Sequence, residues 1–166
     1  MSKRRVISSK TKVCSEDYGV VRTVIKGGKS HVHRNSPCEE CPWRMDVPTH
    51  VFPENAFKES APTSYDSAMS TFSCHVTGAD KPATCAGFLH RHGQNNLSVR
   101  LALSGERIDL STINDGGLPV YPSYREMAIA NGVPEDDPSL QQVRANSDVW
   151  DIDKAGWVPS SDGKYG

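Results

Sequence analysis

The chain has 166 residues, 36% of them hydrophobic and 23% charged, with a formal net charge of −1, a balance that suits one modest globular domain and not two large cores. No apolar run approaches the roughly 20 residues that cross a bilayer, and no apolar stretch of a secretory signal follows the basic start at Lys3, Arg4 and Arg5. A membrane span is excluded, and we expect a cytoplasmic protein.

The near-zero charge is a cancellation. Residues 1–34 carry nine Lys/Arg against Glu16 and Asp17, whereas residues 35–132 and 133–166 each carry a net −4. Residues 1–19 read as a flexible basic leader, which offers electrostatic attraction to a nucleic acid or a host protein. A solvated, frayed terminus is the plainer account, because no aromatic precedes Tyr18 to stack a base. From Gly19 a β-branched run, Val20, Val21, Thr23, Val24 and Ile25, predicts a strand closed by Gly27-Gly28.

Three prolines between residues 42 and 53 forbid a regular helix there, so this segment needs another means of being held. Residues 53–61 open on Pro53 and Glu54 and stop before Pro62, the pattern of a short helix. Tyr65, Ala68, Met69 and Phe72 fall at helical spacing and predict a second helix over 63–72, packed under the cysteine loop. Residues 97–103 predict a third helix capped by Asn95 or Asn96, and residues 123–132 a fourth, with Ser123 and Glu126 in capping-box spacing and Asn131-Gly132 as its stop. Past residue 132 the chain is acidic, and we expect a partly mobile tail with Trp150 and Trp157 as its large anchors.

Five cysteines occur, and four form a pattern: Cys38-x2-Cys41, then Cys74-x10-Cys85. A C-x2-C turn places two thiolates at one vertex of a site, and two further sulfurs complete a tetrahedron for zinc or the ligand set of an iron–sulfur cluster. Softness excludes Mg and Ca. Pro42 after Cys41 resembles the Cys-Pro step at one cluster ligand, though it also simply stiffens a turn. His75 is either a substitute ligand in a three-cysteine, one-histidine site or a group that orients a sulfur from outside; we favour the all-cysteine set. Buried thiols or disulfides are the alternatives to a metal. Cys14 has no partner, Trp43 and Arg44 are placed to shield the site and brace Asp46, and His90 is a candidate proton carrier.

These residues resemble a family of small uncharacterised phage, prophage and bacterial proteins with the core PCxxCPxRxDxP…FxCH…CAG. The shared core is carried here by Pro37, Cys38, Cys41, Pro42, Arg44, Asp46, Pro48, Phe72, Cys74, His75, Cys85, Ala86 and Gly87. The resemblance implies a mobile-element origin and a metal site at Cys38, Cys41, Cys74 and Cys85. We expect an α+β fold, with short helices around an irregular Cys-rich core (36–92) inside one domain over 20–132, and one small hairpin. No GxSxG, HExxH, phosphate-binding glycine loop or zinc-deaminase signature is present. The sequence therefore favours a regulatory or accessory binding module with structural zinc over an iron–sulfur redox sensor or a metal-dependent enzyme on the same cysteines.

Overall fold

The β-branched run after Gly19 forms its strand by pairing with the basic leader. In the computed structural model, which describes residues 2–144 and the backbones of 148–151 and 156–159, β1 (Arg5–Val13) and β2 (Gly19–Lys26) make an antiparallel hairpin. The leader is thus mostly strand, not flexible coil. Residues 8–12 read Ser-Ser-Lys-Thr-Lys, an exposed strand with no apolar face to announce it, and the backbone of β2 supplies the hydrogen bonds that order it. One residue, Ile7, is a bulge.

The hairpin is tied to the body at both ends. Arg4 donates to the Pro82 carbonyl at its open end. At the turn, Tyr18 packs edge-on against Phe52 with centroids 5.3 Å apart, and Asn55 Nδ2 donates to the Cys14 carbonyl.

Four short α-helices follow among the described residues: α1 (Glu54–Ser60), α2 (Ala86–His92), α3 (Leu97–Ser104) and α4 (Tyr124–Ala130). The fold is α+β, with two-stranded hairpins and short helices, as expected. In α1, Lys58 meets Glu54 one turn earlier at 2.9 Å and Asp137 at 3.4 Å. The stop of α4 is as the sequence indicates: Gly132 has φ +100°, and the amide of Val133 returns to the Ala128 carbonyl. The capping box at its start takes another form. Ser123 Oγ donates to the Glu126 carboxylate, and the first-turn amide of Tyr124 is received by His92 Nε2 at 2.9 Å.

The helix expected over 63–72 does not form. A 3₁₀ turn over Ala61–Ser64 ends in extended Tyr65, and Ser67 has φ +61°. The backbone groups of this segment are engaged by the start of α3: Leu97 N–H donates to Ala68 O, Ser67 N–H to Asn95 O, and Asn96 Nδ2 to Ser70 O. These bonds outweigh the helical spacing, and Met69 is left exposed while Phe72 packs inward. Conversely α2 carries no clear helical signal, because a glycine occupies its second position.

The boundary expected at residue 132 falls inside the body. Val133, Leu140 and Val143 are buried in one core with Trp43, Phe57, Phe88, Met127 and Tyr124. Further on, β3 (Asp148–Asp151) and β4 (Gly156–Pro159) pair antiparallel; the rest of the expected mobile tail lies outside the described residues. No described helix is long and apolar enough to cross a membrane.

Asn96 links these elements, since its side chain accepts from Val99 N–H at 3.1 Å as the α3 cap while donating to Ser70 O. Asn96→Ala is expected to cost about 1–3 kcal/mol, for the lost cap and the lost hydrogen bond to the Ser70 carbonyl. Asn95→Ala should cost less than about 0.5 kcal/mol. Urea unfolding of the two variants checks this, and equal losses would contradict the cap assignment.

Candidate metal centre

Two irregular segments bring the cysteines together. The first is the Cys38-x2-Cys41 turn, closed by Cys41 N–H to Cys38 O and Arg44 N–H to Cys41 O. It is anchored by an antiparallel bridge between Arg44 and Val120, in which Tyr121 N–H donates to Trp43 O. The second is the excursion from Phe72 to Cys85, whose arms pair through Cys74 N–H to Ala83 O and Cys85 N–H to Phe72 O. That pairing explains the long x10 spacing: the chain goes out, turns and returns, so both sulfurs arrive at the same end. Cys85 also serves as the N-cap position of α2.

All four cysteines are buried. Cys41 Sγ lies 3.7 Å from Cys85 Sγ, Cys38 Sγ lies 3.2 Å from His75 Nε2, and Cys38 is close enough to Cys41 and Cys74 to feel the charge of both. The sulfurs thus form one chain of neighbours, Cys85 to Cys41 to Cys38 to Cys74, with His75 at the third. Among the described residues no group of three or more His, Cys, Asp or Glu side chains is placed so that it could hold a metal ion. The donors are gathered, and two of them are spaced as metal ligands are: a tetrahedron with arms of about 2.3 Å has edges of about 3.8 Å.

Backbone amides also favour the ionised form of three of the sulfurs. The amide of Glu40 favours the Cys38 thiolate, that of Trp43 the Cys41 thiolate, and those of Gly87 and Phe88 the Cys85 thiolate. In three cases the donor is two residues after the cysteine. The carbonyls are held apart by Arg44, which donates to Cys38 O and Glu39 O and makes a bidentate pair with Asp46 at 2.7 and 2.8 Å. Without a cation four adjacent sulfurs cannot all ionise. The hydrogen bond from Cys85 lowers Cys41 to about 7, burial followed by its cysteine neighbours pushes Cys38 up to about 12, and Cys85 is raised by its bond to Cys41 and by burial.

The other candidates sort clearly. Burial lowers the pKa of His75, whose ring packs edge-on against Phe52. His90 is exposed on α2 and lines a separate cleft with Gln94 and Leu110. Cys14 sits at the hairpin turn beside Asn55, apart from the other four. A cleft of about 140 Å³ beside the Cys38 turn is lined by Glu39, Glu40, Pro42, Arg44 and Phe52 among others.

Sequence reasoning gave Gly87 and His92 no part in holding Trp43, through which both support the site. The Trp43 ring is fully buried and meets Phe72, His92 and Tyr124 at centroid distances of 5.8–6.0 Å. A Cβ on Gly87 would lie 2.5 Å from Trp43 Cβ. The signal available was Cys85-Ala86-Gly87, where a glycine follows a ligand candidate inside an otherwise apolar run.

Gly87→Ala is expected to destabilise the protein by about 1–3 kcal/mol through overpacking against Trp43. Gly93→Ala, whose new methyl meets Leu89 and Val99 at ordinary contact distances of 3.4–3.8 Å, should change stability little, and thermal melts of the pair test the contrast. His92 has its pKa lowered to about 4, by burial first and then by Arg144 and Arg91. Its contribution is therefore complete above the unfolded value of about 6.5 and is lost as pH falls toward 4, roughly 3 kcal/mol in all. Denaturation of wild type and His92→Gln across this range should give curves that converge toward acid; parallel curves would refute the assignment.

Residues 33–144 match the sequence profile of a family described as "Family of unknown function (DUF6283)". No curated protein and no solved structure matches the chain. The matched span takes in the four clustered cysteines, Trp43, Gly87 and His92, and it leaves out the β1–β2 hairpin. With the core and the cysteine cluster inside a match that covers well over half its length, the chain belongs to the DUF6283 family.

Proposed function

We propose that the protein is a phage-type accessory or regulatory module in which Cys38, Cys41, Cys74 and Cys85 hold one structural zinc ion, and that it acts by binding a host protein or nucleic acid. The observation that carries the metal is the convergence of buried sulfurs from two separate segments, with Cys41 Sγ 3.7 Å from Cys85 Sγ and Cys38 Sγ 3.2 Å from His75 Nε2. Neighbouring backbone amides favour the thiolate form at Cys38, Cys41 and Cys85. Adjacent buried thiolates require a cation.

Zinc suits four sulfurs, supplies no redox chemistry and, when so bound, fixes loops that cannot fold on apolar burial alone. Residues 37–53 are such a loop. His75, at 3.2 Å from Cys38 Sγ, then donates a hydrogen bond to that sulfur and holds it in place. Arg44 and Asp46 keep the turn carbonyls away from the sulfurs. Four protein ligands leave no open coordination position, which favours binding over catalysis. An iron–sulfur cluster is the competing occupant of the same ligands, supported by Pro42 directly after Cys41. The phage-type assignment is supported by the motif that runs from Pro37 to Gly87.

Elemental analysis and an absorption spectrum on protein purified without oxygen decide between the occupants. We expect a colourless protein with about one zinc per chain; brown protein with iron and acid-labile sulfide would replace zinc by a cluster, and neither metal would refute the site. Cys41→Ser is expected to lose the metal and most of the thermal stability, while Cys14→Ser should retain both. Equal effects of the two substitutions would overturn the four-cysteine assignment.

A further inference from the structure

The β1–β2 hairpin segregates its charge. Side chains alternate between the faces of a strand, and the register pairs Arg5 with Lys26, Val6 with Ile25, Ser8 with Val24, Lys10 with Arg22 and Lys12 with Val20. Arg5, Lys10, Lys12, Arg22 and Lys26, every basic residue of the two strands, therefore stand on one face. The bulge at Ile7 is what brings this about. Without it Arg5 and Lys10, an odd number of residues apart, would point to opposite faces; the extra residue turns Arg5 onto the face of Lys10 and Lys12. No acidic residue lies in either strand.

Arg5 opposes Lys26 and Lys10 opposes Arg22 directly, and like charges placed this way repel. Among the described residues only Glu59 offsets them, at 3.7 Å from Lys12 and 3.6 Å from Arg22, where Arg22 also donates to the Glu59 carbonyl. Both basic side chains remain about two-thirds exposed there, and Arg5, Lys10 and Lys26 are exposed further along the ribbon. The remainder of the chain is acidic, so this face is not part of a generally cationic surface.

We propose that this face binds the phosphate backbone of duplex nucleic acid without sequence preference. A polyanion is the partner that suits this face, because its opposed like charges, only partly offset by Glu59 among the described residues, are relieved by an array of negative charge. Eight paired positions make the ribbon about 27 Å long, and a duplex offers phosphates every 3.4 Å or so along each strand over that length. The basic face carries Ser8, Val20 and Val24 between its charges and no aromatic ring, so it has nothing on which to stack the bases of a single strand. Glu16 and Asp17 at the turn oppose insertion of the tip into a groove, and the ribbon therefore lies along the backbone. The proposal rests on the binding-module reading above and names its partner, but not on which metal is bound.

The test is fluorescence anisotropy of the full-length protein with a mixed-sequence DNA duplex of about 20 base pairs. Three to five phosphate contacts predict a roughly 40- to 500-fold loss of affinity between 50 and 200 mM salt. Arg5→Gln/Lys10→Gln/Lys26→Gln should flatten the salt slope by about 0.9 per charge removed, with metal content unchanged and melting temperature unchanged or higher. Ser9→Gln, on the opposite face, should leave binding as it is. No duplex binding at 50 mM salt, an unaffected triple variant, tighter binding to single-stranded DNA, or equal competition by polyglutamate would each overturn the proposal, the last in favour of an acidic protein. Metal content measured on the same samples separates the two readings: metal-free protein that binds duplex refutes the zinc site alone, and metal-loaded protein that does not bind refutes the basic face alone.

Discussion

The structure depends on the burial of Trp43 in a stretch of chain that cannot form regular secondary structure. Its ring is enclosed by Phe72 from the cysteine excursion, His92 from α2 and Tyr124 from α4, with the backbone of Gly87 pressed against its Cβ. Each aromatic contact is worth about 0.5–1.5 kcal/mol beyond the area it buries. The indole N–H finds no hydrogen-bond partner, so the residue is held by shape and not by polarity. Four segments far apart in sequence are fixed relative to one another by this one side chain, and the cysteines at 41 and 85 each lie two residues from a member of that contact.

This arrangement explains how the cysteine loops can be irregular and still well defined. Helices and sheets satisfy backbone groups internally, whereas here amides favour the cysteine thiolates and carbonyls are given to Arg44, Thr77 and neighbouring loops. Tyr124 ties the site to α1 as well, because its hydroxyl donates to the Phe57 carbonyl while its amide is taken by His92. The polar contacts of the interior thus form a continuous path from α1 through α4 to α2, and the cluster sits at the end of that path.

Much of the fold was legible where a local rule had no rival. The strand at 19–25, the helix after Pro53, the Asn96 cap and the Asn131-Gly132 stop all rest on local chemistry that the rest of the protein leaves alone. The reading failed where distant partners competed. Tyr65, Ala68 and Met69 have helical spacing, but Tyr65 bonds to Ser139 and bridges to Val143, and the carbonyl of Ala68 is taken by Leu97. α2 was hidden by Gly87, whose presence is dictated by Trp43. β1 was hidden because a solvated strand of serines, threonines and lysines carries no hydrophobic period. The CxxC turn could be read from spacing, whereas the return of Cys74 and Cys85 to meet it depended on a pairing between residues 72–74 and 83–85 that no local pattern signals.

The isolated bridges bear on the order in which the molecule assembles. Arg44 meets Val120, Tyr65 meets Val143 and His33 meets Thr84, each joining residues more than fifty positions apart. Closing such loops costs entropy that grows only slowly with their length, so the final state tolerates them, but a chain dominated by distant contacts searches longer than one built from neighbours. The four helices are too short to persist alone. Secondary structure and tertiary contacts must therefore arise together, in a single late and cooperative step, and before that step the two hairpins, β1–β2 and β3–β4, are the extended elements that can form from adjacent residues.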